Sequence, residues 1–176
     1  QPVWALKGVS FDVRRGSVTG VIGLNGAGKS TLLQILSKVL RPTEGEVRIS
    51  GKALSLLDLG GGLNYEFTGR ENLLLYGLII GESKRSMEES MDRIVEFADI
   101  GPFIDRPMRT YSTGMVMRLA FSVVTACRPD VLIVDEVIGV GDIGFQMKCL
   151  RWMSRFVKQG GTVCMVSHDI NMVAAK

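Results

Sequence analysis

The sequence predicts an α/β protein built on a parallel sheet, and three stretches predict it. Gly23-Leu-Asn-Gly-Ala-Gly-Lys-Ser30 fits G-x-x-x-x-G-K-[ST], set between the apolar run 18–22 and a helical run 29–38. Val131-Leu-Ile-Val-Asp-Glu136 is a short continuous apolar run that ends on two carboxylates. Thr162-Val-Cys-Met-Val-Ser-His168 is another, ending on the only histidine of the chain. Short unbroken apolar runs are how strands buried on both faces of a parallel sheet read. The glycine motif adds a chemistry: a tight loop with its N–H groups turned inward cradles phosphates, Lys29 reaches the β and γ oxygens, and the Ser30 hydroxyl ligates Mg²⁺. The positive end of the following helix faces the same anion. The implied ligand is a nucleoside triphosphate, and strand, loop and helix stand in the order the motif requires.

Composition narrows the class further. With 176 residues, 46% hydrophobic and 22% charged, the chain is globular and one to two domains long. A net charge of +3, without a run of like charges, gives no reason to expect nucleic acid as a partner. Cys127, Cys149 and Cys164 are far apart and odd in number, which suggests neither a disulfide framework nor a zinc site but buried thiols in a reducing compartment. No leader pattern opens the chain, and the most apolar stretch, 119–127, is cut by Arg128-Pro-Asp130, so this polypeptide is not expected to cross a membrane itself.

Taken in order, Leu6, Val9, Phe11 and Val13 suggest a strand, and Arg14-Arg-Gly16 turns it back toward the glycine-loop strand 18–22, itself read as buried. After the first helix, Arg41-Pro-Thr-Glu-Gly45 is a loop, and Glu46-Val-Arg-Ile-Ser50 alternates as a half-exposed strand before the turn at Gly51 and Lys52. Together these predict a small antiparallel sheet beside the core. Residues 54–59 form a further apolar strand, followed by the glycine joint 60–62. From Thr68 the pattern is helical: Thr68-Gly-Arg-Glu71 reads as a capping box before 72–80, and Ser86-Met-Glu-Glu89 as another before 91–98, with Gly81 and Gly101 as stops. The charges between Gly81 and Arg93 read as a solvated face, and the methionines as core filler. Leu73, Leu74 and Tyr76 are expected to be exposed beside the glycine joint, as a surface for a partner.

In Tyr111-Ser-Thr-Gly-Met-Val-Met-Arg-Leu-Ala-Phe-Ser-Val123, a Ser and a Gly two positions apart open an amphipathic helix with free N–H groups, a second anion site. Asp135 and Glu136 lie at the carboxyl end of their strand, where ligands gather in such sheets. Asp135 suits Mg²⁺ contact and Glu136 the polarisation of water. His168, at the end of its own strand, reads as a phosphate sensor.

The order of these segments resembles the ATP-binding subunit of ABC transporters, over nearly the whole chain. The resemblance implies a P-loop NTPase (RecA-like) core with a small antiparallel β subdomain, and a helical subdomain inserted before the signature helix. It makes 1–176 a single ATPase domain truncated at both ends, with 1–59 and 128–176 as the core and 60–127 as the Q-loop region and helical subdomain. Gly23, Asn25, Gly26, Ala27, Gly28, Lys29, Ser30 and Thr31 fall on the nucleotide loop, Ser30 and Asp135 on the Mg²⁺ contacts, and Glu136 and His168 on the catalytic base and switch histidine. Tyr111, Ser112, Thr113, Gly114 and Met115 stand where the family has Leu-Ser-Gly-Gly-Gln, and Asp142 ends the D-loop. The family mechanism implies two copies sandwiching two ATP, each site joining one subunit's P-loop to the other's Ser112 and Gly114.

Phe67-Thr-Gly-Arg-Glu-Asn72, Thr110-Tyr-Ser-Thr-Gly-Met115 and Val134-Asp-Glu-Val-Ile-Gly-Val-Gly-Asp142 look like the branch that exports polysaccharides such as O-antigen or teichoic acid. That implies an integral membrane permease as partner and a place on the cytoplasmic face of the inner or plasma membrane. Another export system or a soluble ABC ATPase is the alternative, without the coiled-coil heptads or doubled cassette of repair and ribosomal types. The chain departs from the family at the Q-loop glutamine, where it has Leu59 with Asp58 beside it. Trp4 is the only nearby aromatic for stacking on adenine, and reads equally as a strand-edge core residue.

Overall fold

The computed structural model describes residues 3–56, 62–135 and 142–167. Within them lie β1 (Val18–Ile22), α1 (Lys29–Leu36), β2 (Ala53–Ser55), α2 (Gly69–Ile79), α3 (Lys84–Ala98), α4 (Thr113–Cys127), β3 (Val131–Val134), α5 (Ile143–Lys158) and β4 (Thr162–Ser167). Two 3-10 turns, Gly101–Asp105 and Met108–Thr110, join α3 to α4. The sheet order is β1-β4-β3-β2, parallel throughout. By its contacts the chain divides into two compact units, one of Gln1–Leu57, Pro129–Val137 and Met153–Lys176, the other of Asp58–Arg128 and Ile138–Trp152.

The first unit holds the sheet. Leu132, Ile133, Val134, Val163 and Val166 are buried, because β3 and β4 are the inner strands and have neighbours on both sides. β1 is less buried than its apolar sequence predicts, with Val18 49% and Ile22 44% exposed, since among the described residues it ends the strand order and pairs with β4 alone. Helix α1 covers one face by setting Leu33 against Ile133 and Val166, with Val21 and Leu36 around them. Asp130 fixes the start of β3: its Oδ2 accepts the Lys52 N–H at 2.8 Å, and a Cβ on Gly51, at φ +90°, would stand 2.3 Å from that oxygen. Only glycine fits that approach.

The small antiparallel sheet is not formed among the described residues: 6–13 and 46–50 carry no strand ladder. Alternation predicts a face, but a two-stranded ribbon is marginal unless something covers that face, and here Val9 and Phe11 remain exposed. β2 runs Ala53–Ser55, starting one residue before the expected 54–59, and residues 57–59 of that expectation fall outside those described.

The second unit is helical. α2 starts at the predicted capping box: Thr68 N–H donates to Glu71 Oε2 at 2.8 Å and Glu71 N–H to Thr68 Oγ1 at 3.3 Å. The Thr68 backbone N–H first, and the Thr68 hydroxyl second, hold the Glu71 carboxyl below its usual range. Gly81, at φ +87°, ends the helix as expected. α3 begins a turn earlier than the sequence suggests: Ser83 is the cap, its Oγ accepting the Ser86 N–H at 3.1 Å. The earlier start lets Lys84 pair with Glu88 and Arg85 with Glu89 on the solvated face, while Met87, Met91, Ile94 and Ala98 turn inward. Leu73 and Tyr76 are not exposed but each 1% accessible. They form the inner stripe of α2, which comes so close to α3 that a Cβ on Gly77 would stand 2.4 Å from Met87 Sδ.

Candidate functional site

The loop between β1 and α1 is shaped by its glycines. Gly26 and Gly28 adopt φ +81° and +85°, which bend the chain so that the Ala27 N–H reaches the Leu24 carbonyl at 3.2 Å. Gly28 is also the N-cap of α1, and with no side chain it makes no cap bond, so the first-turn N–H groups face outward for an anion. Lys29 Nζ donates to the carbonyls of Gly23 at 2.8 Å and Leu24 at 2.9 Å, which folds its ammonium back over the loop. Ser30 and Thr31 occupy the first turn of the helix, and Asn25, Gly26 and Ala27 are exposed along the loop. Trp4 is 48% exposed on a segment that is not a strand, so it is not a strand-edge core residue.

Because the strands are parallel, their carboxyl ends share one edge of the sheet. Ile22, from which the loop departs, is level with Ser167, and Val134, which precedes Asp135, is level with Met165. Asp135 follows β3 directly and is half-buried. Glu136 follows Asp135 and His168 follows Ser167 in sequence, and both lie outside the described residues, as do Leu59 and Asp58. The donors suit a small hard cation: a Ser30 hydroxyl and an Asp135 carboxylate are the oxygen set that holds Mg²⁺ when substrate phosphates supply the rest. Among the described residues no group of three or more His, Cys, Asp or Glu forms a separate metal cage. Burial also raises the pKa of the Cys164 and Cys149 thiols, the latter to about 12, which keeps both protonated and unreactive.

In the helical unit, Ser112 caps α4 as its sequence predicts, its Oγ accepting the Met115 N–H at 3.3 Å. Thr113 and Gly114 form the first turn. Tyr111 anchors this turn, its hydroxyl donating to the Phe103 carbonyl at 2.5 Å, and burial raises its pKa. Gly69 is tied to it, because a Cβ there would stand 2.5 Å from the hydroxyl.

Asp142 caps α5: its Oδ1 accepts the Phe145 N–H at 3.0 Å, and its other oxygen pairs with Arg118. The Arg118 bond first, and the Phe145 N–H second, hold its carboxyl below the usual range. Sequence reasoning passed over Arg118, and over the buried Asn72. The Asn72 Oδ1 accepts the Asn64 N–H at 2.7 Å, and its Nδ2 donates to the carbonyls of Asn64, Phe67 and Thr68. Asn72 was read in the sequence as the end of the 67–72 stretch, but not that its amide gathers the preceding loop.

A family model for ABC transporters matches residues 6–139. An O-antigen export system ATP-binding protein of Klebsiella pneumoniae is 46% identical over 169 residues, covering 96% of this chain and 69% of that protein. A teichoic acids export ATP-binding protein of Enterococcus faecalis is 46% identical over 170 residues, covering 97% of this chain and 38% of that protein. A protein of the first kind from Myxococcus xanthus is 45% identical, and the chain spans 39% of it. Among solved structures, a dimeric ATP-binding cassette in a post-hydrolysis state with ADP and Pi aligns with TM-score 0.80 at 24% identity, over 97% of this chain and 83% of that one. At that identity the likeness speaks for the fold.

Proposed function

The chain belongs to the ABC transporter family, and from that premise we propose that it binds and hydrolyses ATP to drive export of a polysaccharide or lipid-linked glycan. The observation that carries the reading is the glycine loop: an uncapped helix start under two left-handed glycines, with Lys29 folded over it. Such a loop binds phosphates through backbone N–H groups and a point charge. Lys29 exchanges its two carbonyl partners for phosphate oxygens when ATP enters. Ser30, and Asp135 directly or through water, would hold Mg²⁺, which would supply neutralisation of charge on the phosphates. Glu136 accepts the proton of a water that attacks the γ-phosphorus, the bond to the β-phosphate oxygen breaks, and ADP leaves with that electron pair. His168 donates a hydrogen bond to the γ-phosphate oxygens.

The site is completed by a second copy, which brings its Ser112 and the N–H groups of Thr113 and Gly114 to the γ-phosphate. Names of the relatives support a glycan export system as the setting. In that setting the partner is a membrane permease, and the domain sits on the cytoplasmic face of the membrane. No helix among the described residues is long and apolar enough to cross it. A surface for the permease is drawn from the exposed Tyr65, Phe67, Leu78 and Ile79 rather than from the buried Leu73 and Tyr76.

Two variants of the full-length protein test this. Lys29→Ala should abolish Mg-ATP binding in calorimetry, and unchanged affinity overturns the site. Glu136→Gln should keep ATP bound but unhydrolysed, and accumulate as a dimer in light scattering. Adding Ser112→Arg puts a bulky cation at the shared interface and should return it to monomer. A Glu136→Gln protein that stays monomeric under saturating ATP overturns the paired site.

A further inference from the structure

We propose that Asn72 is a positioning residue: its buried amide knots the 64–68 loop, which in turn holds the 107–109 segment in front of Ser112, so that loop and Ser112 turn keep their order together. This rests on the reading above in which Ser112 meets the ATP of a second copy.

All of these groups belong to the helical unit. Asn72 stands in the first turn of α2 and is 1% exposed, and its side chain points back toward the helix start, as helical side chains do. Its Oδ1 accepts the Asn64 N–H at 2.7 Å, and its Nδ2 donates to the carbonyls of Asn64 at 2.8 Å, Thr68 at 3.0 Å and Phe67 at 3.2 Å. One amide thus closes both ends of the loop. The Phe67 carbonyl is the joint to the next segment, because it also accepts the Met108 N–H at 2.9 Å. Beside it the Tyr65 carbonyl accepts the Arg109 N–H at 2.9 Å, and Thr68 and Pro107 form an antiparallel bridge. The Glu66 carboxylate pairs with the Arg109 guanidinium.

From Arg109 the chain reaches Ser112 in three residues, and these are held as well. The Tyr111 N–H donates to the Met108 carbonyl at 2.9 Å, its hydroxyl is bound at the Phe103 carbonyl, and Met108 itself is fully buried. Ser112 then caps α4 through the Met115 N–H. A backbone bonded at 108, 109 and 111 has little freedom to set Ser112 elsewhere. Asn72 serves here because its amide is donor and acceptor at once. An aspartate would turn a carboxylate toward three carbonyls, and a leucine would leave the Asn64 N–H without its side-chain partner.

The test uses the full-length Glu136→Gln protein with saturating Mg-ATP, its hydrogen exchange followed residue by residue in the dilute monomer and in the pair. Pairing should slow the amides of Met108 and Arg109 as much as those of Met115 and Val116, to within about threefold, because amides freed in one cooperative opening share its free energy. Slowing confined to 115 and 116 overturns the proposal. Adding Asn72→Asp should leave Mg-ATP affinity unchanged in calorimetry and raise the protein concentration for half-pairing on the order of 10-fold, as misplacement of an aligned group does. The same substitution should speed exchange at 108 and 109 and leave 88–98 in α3 as it was. Half-pairing within about twofold of the parent, or a speeding as large in α3, which marks mere loosening of the unit, overturns the proposal. If Asn72→Asp does not fold, the exchange comparison on the parent decides alone. A parent that binds no ATP sinks the ATPase reading itself, and one that binds ATP without pairing sinks the paired site and this proposal with it. A parent that pairs while 108 and 109 stay unmoved sinks this proposal only.

Discussion

At the scale of single residues, two loop glycines separate backbone strain from crowding. Gly26 and Gly28 both hold left-handed φ values, +81° and +85°. A Cβ on Gly26 meets nothing within 4 Å, whereas one on Gly28 would stand 2.4 Å from the Ala5 carbonyl and 2.8 Å from Leu6 Cδ2. Gly26→Ala should therefore cost only the left-handed penalty, about 1–2 kcal/mol. Gly28→Ala adds overpacking of roughly 1–3 kcal/mol to it. Urea unfolding of both variants checks the difference, and equal losses would mean that the 3–6 segment does not lie against the loop. The loop residues were legible because motif chemistry is local. Leu73 and Tyr76 were not, because α2 is apolar on nearly every side and its sequence does not say which stripe faces in. Arg118 was hidden for a related reason: its partners lie 19–24 positions away on other elements, and no spacing rule connects them.

Among the elements, caps and strands were read with unequal success. The Thr68 box was found because both halves of it are visible three positions apart, and the same logic misplaced the next cap. Ser86-Met-Glu-Glu89 has the right letters, yet Ser83 precedes it and starts the helix sooner. Ser83→Ala should lose the cap, about 1 kcal/mol, while Ser86→Ala should cost less, about 0.5 kcal/mol, since its cap partner is its backbone N–H and its hydroxyl loses only a 3.2 Å bond to the Glu82 carboxylate. Thermal midpoints of the two variants give the answer, and a larger loss for Ser86→Ala would restore the later start. The parallel strands were legible because β3 and β4 are buried on both faces, which leaves an unbroken apolar run. The antiparallel pair was not a safe reading: alternation at 46–50 reports a potential face, and a face becomes a sheet only when something packs on it.

For the whole molecule, the division into two units bears on where ATP is felt. The glycine loop belongs to the unit with the sheet and Ser112 to the helical unit. If each ATP is closed by a second copy, a monomer loaded with nucleotide should gain protection in only one of these places. At ATP a hundredfold above its Kd, a ligand that binds the native state alone adds about 2.7 kcal/mol, which slows exchange through ligand-releasing openings by about a hundredfold. Hydrogen exchange on wild-type protein, held dilute enough to stay monomeric, should show that slowing at 23–36 and none at 112–116. The Glu136→Gln protein, concentrated with Mg-ATP, should show it at both, because there the partner's phosphate meets the start of α4. Adding Ser112→Arg should remove the second protection and keep the first. Protection of 112–116 in the dilute monomer would mean that one chain closes both motifs on its own ATP, and the paired site would have to be abandoned while nucleotide binding at Lys29 stood.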